Sequence, residues 1–276
     1  MSKRNYRWAL RKLIMPLYGS GLVIDIGSGG RPHPFADIIV EKYTDDLHRY
    51  RKLELDSRLV LADGLHLPFK KNAFAYSMLF HVLEHVESPS ELLDEISRIS
   101  QAGYVETPNE LYEIVNPLTV HVNVVSIVDS KLQIRRKRDS WAGSPAAEYR
   151  PLYNNAYLKA QLKKNPEGFH SVFRWKNKIN YVVSSTDAEC PAWYDSSAGL
   201  TENELEMHGS GGKVFTSKFL EGASRMIRQS RKQKIADVFA CPRCKTTVSL
   251  ERDRYVCLNR DCGSVYPAKP VPDFRI

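Results

Sequence analysis

Near its start, this chain has an apolar segment that runs directly into a glycine turn, a pattern that limits the folds it can adopt. Residues 22–26, Leu-Val-Ile-Asp-Ile, are apolar except for Asp25, and they stop at Gly27–Gly30, where three of the four residues are glycine. An apolar run of this length, bounded by glycine, is typical of a strand buried in a parallel sheet. Glycine lets the backbone turn sharply and approach a ligand closely. The alternative is that this segment is a turn and nothing more.

Four further apolar runs each predict a strand. They occupy residues 36–40, 59–62, 74–80 and 103–105. Strands that alternate with helical segments predict an α/β fold with a parallel sheet. Only about ten residues join the first two strands, and Pro32 and Pro34 are among them, so a normal crossover helix barely fits there.

The segment 88–99 predicts a helix between the fourth and fifth strands. Ser88 is a favourable N-cap, Pro89 suits the first helical position, and Glu91 completes a capping box. The apolar residues of one helical face then recur at helical spacing. These residues are Leu92, Ile96 and Ile99.

Acidic residues or glycines end three successive strands. After the first strand, backbone N–H groups of the glycine turn can bind a carboxylate such as that of a methionine moiety. Glu41, after the second strand, stands where an acid would bind ribose hydroxyls. Asp63, after the third, could accept a hydrogen bond from an adenine amino group. A single acid at a strand end is usually only solvated, but three such endings together indicate a nucleotide-like cofactor. The predicted cofactor-binding residues are Asp25, Gly27, Ser28, Gly29, Glu41, Asp63 and Gly64.

These segments resemble the class I S-adenosylmethionine (SAM)-dependent methyltransferases, in particular the broad family of small-molecule and ubiquinone-type methyltransferases. The resemblance rests on residues 23–29, 61–69, 81–86 with the helix that follows, and 106–109. It implies a Rossmann-like domain with a mostly parallel, twisted sheet, and SAM across the carboxyl ends of the first three strands. The chain departs from the family at Ala75, where an Asp is usual, and in its shortened first connection.

Residues just past the fourth strand are the candidates for catalysis. His81, Glu84 and His85 lie together, and a histidine can take a proton near neutral pH. The resemblance to ubiquinone-type enzymes implies that Glu84 and His85 could instead hold a divalent ion against an oxygen nucleophile. The simpler alternatives are that His85 is structural, or that positioning alone drives methyl transfer.

The region 110–185 completes the predicted methyltransferase domain, which spans residues 1–185. Residues 121–134 predict one hairpin and residues 172–183 a second, with a turn at 176–178. We expect this region to form the acceptor pocket, and His121 and His170 could line it. Residues 1–20 are basic and contain no acid, and they predict an amphipathic helix at the start of the domain, since a strand begins a few residues later. The alternative is a transit peptide, which has a similar composition.

A linker, irregular and then basic, is predicted for residues 186–236, and a zinc ribbon for residues 237–276. Two cysteine pairs, with the spacings C-x2-C and C-x4-C, can place four thiolates on one structural zinc ion, Zn²⁺. The proposed ligands are Cys241, Cys244, Cys257 and Cys262. The ribbon and its tail resemble the small zinc-ribbon activator subunit of RNA and protein methyltransferases, although the usual Gly-Ile-Pro is replaced at residues 269–272.

The sequence leaves two enzymatic functions open. The first is methyl transfer to a small-molecule or glycan acceptor, with oxygen as the expected acceptor atom. The second is RNA methylation, in which the ribbon, the basic linker and the run Arg135–Arg138 would bind phosphates. The net charge of +8 is weak support for an anionic partner. A non-catalytic scaffold is a third alternative, and the ribbon could bind a protein. No apolar run is long enough to span a membrane, and we expect a cytoplasmic protein.

Overall fold

The computed structural model describes residues 21–45, 56–115, 118, 120–137, 156–188, 226–229, 231, 235 and 237–276. Within these residues the strands are β1 Val23–Ile26, β2 Ile38–Glu41, β3 Leu59–Leu61, β4 Tyr76–Phe80, β5 Ala102–Pro108, β6 Asn123–Val128, β7 Lys131–Arg136, β8 His170–Lys176, β9 Tyr181–Val183, β10 Val248–Glu251, β11 Arg254–Cys257 and β12 Val265–Pro267. The α-helices are α1 Pro89–Ile99, α2 Glu110–Val115 and α3 Ala156–Lys164. The N-terminal helix predicted for residues 1–20 lies outside the described residues.

A six-stranded sheet forms the centre of the fold, in the order β3-β2-β1-β4-β5-β8. The first five strands are parallel to their neighbours, and only β8 runs antiparallel, beside β5. Strands β1 and β2 are buried along their whole length, as their apolar runs predict. The predicted α/β fold with a mostly parallel sheet is therefore confirmed.

The connection between β1 and β2 contains no helix, in agreement with its two prolines. Residues 27–37 form turns instead. The buried carboxylate of Asp37 closes this segment by accepting a hydrogen bond from the Val23 amide at 2.8 Å. Its charge is balanced by Arg231, a buried residue of the linker, whose Nη1 lies 3.2 Å away. The basic linker thus contacts the connection that follows the glycine turn.

Helix α1 packs its apolar side against the sheet. The predicted residues Leu92, Ile96 and Ile99 are buried, together with Leu93. Ser88 does occupy the N-cap position, but its side chain makes no capping hydrogen bond, so the predicted capping box does not form. Burial of the apolar face, rather than the cap, therefore holds this helix in place.

The first predicted hairpin is confirmed and the second is wrong. Strands β6 and β7 pair antiparallel, from Asn123 opposite Arg136 to Val128 opposite Lys131. Strands β8 and β9, by contrast, lie in different sheets, because β8 pairs with β5 and β9 pairs in parallel with β7. The long buried strand β5 offers β8 seven paired positions, whereas the short β9 could offer only three.

The ribbon is a three-stranded antiparallel sheet, β10-β11-β12, that packs on the central sheet. Its tail continues along the edge strand β3, where the Leu61 amide donates to the Pro272 carbonyl at 2.8 Å. The Phe274 amide donates back to the Leu61 carbonyl at 2.7 Å. The ring of Phe274 is fully buried and stacks on Phe239. The ribbon therefore covers what would otherwise be an open edge of the sheet.

No helix among the described residues is long and apolar enough to cross a bilayer.

Candidate cofactor and acceptor site

The glycine turn adopts a backbone that only glycine accepts easily. Gly27, Gly29 and Gly30 have φ angles of 69°, 60° and 87°. The Gly27 amide donates to the Val40 carbonyl at 2.8 Å, which ties the turn to the end of β2. A Cβ atom at position 27 would come within 2.5 Å of the Val82 Cγ2 atom. The turn therefore packs between the end of β2 and the segment that follows β4.

Glu41 reaches back from the end of β2 onto this turn. Its Oε1 atom accepts hydrogen bonds from the Ser28 hydroxyl at 2.5 Å and from the Gly29 amide at 3.0 Å. Asp25 lies buried in β1, where its Oδ2 accepts from the His33 amide at 2.7 Å. The structure thus brings together four predicted cofactor residues, Asp25, Ser28, Gly29 and Glu41.

Asp63 ends β3 at the same edge of the sheet. It accepts a hydrogen bond from the Leu65 amide at 3.0 Å and forms an ion pair of 2.7 Å with Lys42. Burial alone would raise the pKa of Asp63, but these contacts outweigh it and lower the pKa. A Cβ atom at Gly64 would come within 2.8 Å of the Leu92 Cδ1 atom, so the Leu92 side chain would have to shift. Lys42 also belongs to this strand end, and the sequence pattern does not single it out, although it directly follows Glu41.

A cluster of histidines and buried acids lies beyond β4. His81 has a φ of 53°, and its amide donates to the Glu106 carbonyl of β5. Its ring nitrogens lie 3.4 Å from Glu84 Oε1 and 3.6 Å from Glu106 Oε1. Both carboxylates are buried, and Tyr104 donates its hydroxyl to Glu106 Oε2 at 2.5 Å. Glu106 was missed as a site residue, although an acid at the carboxyl end of β5 follows the rule that identified Asp63.

The histidines of this cluster differ in their electrostatics. Burial alone would lower the pKa of His81, but Glu106 and Glu84 outweigh burial and raise it to about 9. Burial lowers the pKa of His85, and the opposing effect of Glu84 is not enough to restore it. Burial would raise the pKa of Glu84, but His81 and the other nearby histidines lower it to about 2. At neutral pH, His81 is therefore a cation between two carboxylates, whereas His85 is uncharged.

Two histidines of the region after β5 join this cluster. The ring of His121 packs edge-on against that of His85, with centroids 4.7 Å apart. The ring of His170 packs edge-on against that of His81, at 5.3 Å. The sequence predicts only that these two histidines could line a pocket. The chain thus folds back on itself to enclose the carboxyl ends of β4 and β5.

The four ribbon cysteines are brought together as their spacing predicts. Their four sulfur atoms all lie within 4.8 Å of one another. The Cys241 and Cys262 sulfurs are 3.8 Å apart, and those of Cys244 and Cys257 are 3.4 Å apart. Four thiolates on a tetrahedral zinc at about 2.3 Å would be separated by roughly 3.8 Å, so this cluster fits such an ion.

The sequence profile of a family described as "Methyltransferase domain" matches residues 37–105. The match contains Glu41, Asp63 and the segment from His81 to His85, and it begins after the glycine turn. Residues 37–105 thus resemble a methyltransferase domain. Together with the observed order and direction of the strands, the match confirms the predicted Rossmann-like methyltransferase fold.

A curated protein is similar in sequence to part of this chain, at low identity. An uncharacterized protein of Methanocaldococcus jannaschii is 28% identical over 85 residues, which are 31% of this chain and 41% of that protein. This chain therefore matches less than half the length of that relative.

Several solved structures are also similar to parts of this chain. A SAM-dependent methyltransferase from Mesorhizobium loti is 14% identical, with a TM-score of 0.34 over 61% of this chain and 96% of that one. A structure of the Haloferax volcanii Trm112 methyltransferase activator in complex with a methyltransferase gives 14% identity and a TM-score of 0.40, over 63% and 92% of the two chains. The N-terminal domain of EvdMO1, solved with S-adenosylhomocysteine (SAH) bound, gives 18% identity and a TM-score of 0.28, over 47% and 56%.

Proposed function

We propose that this methyltransferase domain transfers a methyl group from SAM to an oxygen atom of a small-molecule or glycan acceptor. The observation that carries the proposal is the contact between Gly27 and Val82. Through it, the glycine turn lies beside the segment from His81 to His85 at the carboxyl end of the sheet. That edge is where open α/β sheets bind their ligands.

The cofactor side of the site is formed by the first three strands. Amides of the turn Gly27–Gly29 would bind the methionine carboxylate, with Asp25 buried beneath them. Glu41 would bind the ribose hydroxyls, since its carboxylate is already held at the turn by Ser28 and Gly29. Asp63 would accept from the adenine amino group, and the missing side chain at Gly64 keeps α1 close to that strand end.

The acceptor side of the site is the cluster beyond β4. In the reaction an acceptor oxygen attacks the methyl carbon, the O–CH3 bond forms, and the S–CH3 bond breaks with its electron pair remaining on sulfur. The products are the methyl ether or ester, SAH and a proton. Positioning of the oxygen supplies much of the rate enhancement. His81, Glu84 and His85 are the groups that would orient the acceptor hydroxyl and hold its proton.

Internal ion pairs favour a small acceptor over RNA. In the run Arg135–Arg138, Arg135 pairs with Glu110 at 2.6 Å and Arg136 pairs with Glu87. Lys137 is buried against Glu113 at 2.8 Å. These three bases are already neutralised within the chain, whereas phosphate binding needs accessible positive charge. Arg138 lies outside the described residues.

The ribbon is proposed to be a structural zinc module that supports the cofactor site. Cys241, Cys244, Cys257 and Cys262 would hold one zinc ion, with no open coordination position for a substrate. Its tail pairs with β3, the strand that ends at Asp63. The ribbon would therefore serve as a built-in support for the domain rather than as a docking site for a separate protein. Reduced thiolates are typical of a cytoplasmic protein.

Transfer from labelled SAM tests the acceptor class. The full chain is incubated with tritium-labelled SAM and a cell extract divided into low-molecular-mass, glycan and RNA fractions. We expect label in the low-molecular-mass or glycan fraction, insensitive to ribonuclease and stable to mild base if an ether has formed. Label that appears only in RNA and is released by ribonuclease would replace this proposal with the RNA alternative.

A further inference from the structure

A helical part of the linker lies against the connection between β1 and β2. Residues 226–229 and 231 are helical, and the side chain of Arg231 is only 5% exposed. The connection itself, residues 27–37, contains no helix, although two parallel strands are usually joined by a crossover helix. The helical residues beside this connection therefore come from a segment far along the chain, with Arg231 lying 194 positions after its partner Asp37.

Arg231 and Asp37 form a buried ion pair at the end of this connection. Arg231 Nη1 lies 3.2 Å from Asp37 Oδ2, which also accepts a hydrogen bond from the Val23 amide of β1 at 2.8 Å. Burial raises the pKa of Asp37, although the Val23 amide and Arg231 act in the opposite direction. The carboxylate is therefore costly to keep charged in this place, and a cation from the linker offsets part of that cost.

Two further arginines hold carbonyl groups of the same connection. Arg228, also in the linker, donates from Nη1 to the Pro34 carbonyl. Arg58, which precedes β3, donates from its Nη1 to the carbonyls of His33 and Ala36 at 3.3 Å and 3.2 Å. A connection without a helix lacks the regular hydrogen bonds that satisfy helical carbonyl groups. Guanidinium groups from outside the connection bind three of these carbonyls instead.

The connection in turn holds a residue beside the glycine turn. The His33 amide donates to Asp25 Oδ2 at 2.7 Å, and the Asp25 side chain is buried. Asp25 lies in β1, two positions before Gly27. Contacts therefore continue from the linker arginines, through residues 33–37, to the carboxylate next to the glycine turn.

The chain that follows these helical residues reaches a second part of the cofactor half. The Lys70 amide donates to the Val238 carbonyl at 2.8 Å, and the Ala240 amide donates to the Pro68 carbonyl at 2.9 Å. Residues 68–70 belong to the segment that follows Asp63 and Gly64. One stretch of chain, from the linker into the ribbon, thus contacts the segments that follow both β1 and β3.

We propose that Arg231 is a positioning residue of the SAM site, and that the helical residues of the linker replace the crossover helix missing after β1. Arg231 keeps Asp37 bonded to β1, and this fixes the connection whose His33 amide orients Asp25. The inference rests on the proposed function, since SAM is the ligand that the glycine turn would bind. It also extends the cofactor half beyond residue 185, where the sequence predicts that the methyltransferase domain ends.

Calorimetry with SAH on the full chain tests this role. Arg231→Ala leaves the Asp37 carboxylate buried without its cation, so SAH should bind at least about tenfold more weakly. Asp37→Asn keeps the shape of the side chain and should weaken binding in the same direction. Arg231→Lys keeps the positive charge and should bind SAH more tightly than Arg231→Ala does. Melting curves establish which variants are folded, and Asp37→Asn carries the prediction if Arg231→Ala unfolds.

Lys137→Met is the matched control, because it also removes the cation of a fully buried ion pair. Lys137 lies 2.8 Å from Glu113, beside β7 and in a different sheet from β1. This variant should lower the melting temperature but leave SAH affinity unchanged. Hydrogen exchange of the unliganded proteins gives a second readout, which does not depend on SAH. Arg231→Ala should speed amide exchange in residues 27–37 at least about tenfold, whereas Lys137→Met should not.

Two results would overturn the proposal. One is a folded Arg231→Ala or Asp37→Asn protein that binds SAH as tightly as a wild type that does bind it. The other is exchange in residues 27–37 that is the same in these variants as in the wild type. A wild type that binds no SAH, while exchange in residues 27–37 still responds to Arg231→Ala, would contradict the proposed function but support the role of Arg231 in holding the glycine turn.

Discussion

Gly27 and Val82 are in such close contact that a Cβ atom on Gly27 would come within 2.5 Å of Val82 Cγ2. Gly27 begins the turn after β1, and Val82 lies between His81 and Leu83 in the segment after β4. The cofactor half and the acceptor half of the proposed site are thus packed directly against each other. A change in either half is expected to disturb the other.

Gly27→Ala should weaken SAH binding and lower stability. The left-handed φ of 69° costs a non-glycine residue roughly 1–2 kcal/mol, and the contact with Val82 adds to this cost. Calorimetry with SAH and chemical denaturation measure the two effects. Gly168→Ala is the control, since a Cβ atom there would meet nothing within 4 Å, and it should behave like the wild type. Equal SAH affinity in the two variants would show that the turn is not part of the cofactor site.

Cys257→Ser should abolish the zinc of the ribbon. Thiolate ligation supplies folding free energy to a segment that is too small to form its own core. Metal analysis should find one zinc per chain attached to the four cysteines, and none in the variant. Cys190→Ser, at a cysteine far from the ribbon in sequence, should retain the full amount. Zinc that survives loss of Cys257 would contradict the proposed ligand set.

Phe274→Ala should detach the tail from β3. Phe274 is completely buried, and its ring contacts Phe239, Tyr255 and Tyr266. Removal of a buried phenylalanine ring typically costs about 3–5 kcal/mol. The free energy of unfolding from urea denaturation measures this cost, with Ile276→Ala, at a half-exposed side chain, as the control. A loss below about 1 kcal/mol would mean that the ribbon does not support the domain.

Glu95 should make the attachment of the ribbon sensitive to acid. Burial would raise the pKa of Glu95, but Arg98 and Lys245 outweigh burial and lower it from the ordinary value of 4.5. Because the folded-state pKa lies below the unfolded one, the stabilisation is complete above pH 4.5 and is lost as the pH falls through the folded value. The stability difference between the wild type and Glu95→Gln should therefore be largest at neutral pH. Melting curves recorded from pH 7 to pH 3.5 measure it, and a difference that does not change with pH would contradict the contribution of this ion pair.

The strands were predictable because their signals are local. Apolar runs bounded by glycine or acid predict the positions of β1 to β5 to within a few residues. Pro32 and Pro34 predict that no helix follows Gly27. The same local rule failed at residues 172–183, because pairing with β5 or β7 depends on distant partners. The sequence of a short apolar strand does not determine which other strand it will pair with.

The candidate site was predictable only in part for the same reason. Glu84 and His85 are adjacent in sequence, so their pattern could be recognised. The position of His121 beside His85 depends on the fold of the segment before β6, and the position of His170 beside His81 depends on the pairing of β8 with β5. Convergence of this kind has no signature within a single segment.

Binding of SAH to the purified full chain decides whether the glycine turn and Glu41 form a cofactor site. Calorimetry should show one SAH per chain for the wild type. Glu41→Ala should bind at least about tenfold more weakly, because it loses hydrogen bonds worth about 0.5–1.5 kcal/mol each and the support of the turn. Glu87→Ala, which removes a surface acid, should bind normally. A folded wild-type protein that shows no affinity for SAH or SAM would contradict the account and favour a scaffold that keeps only the fold.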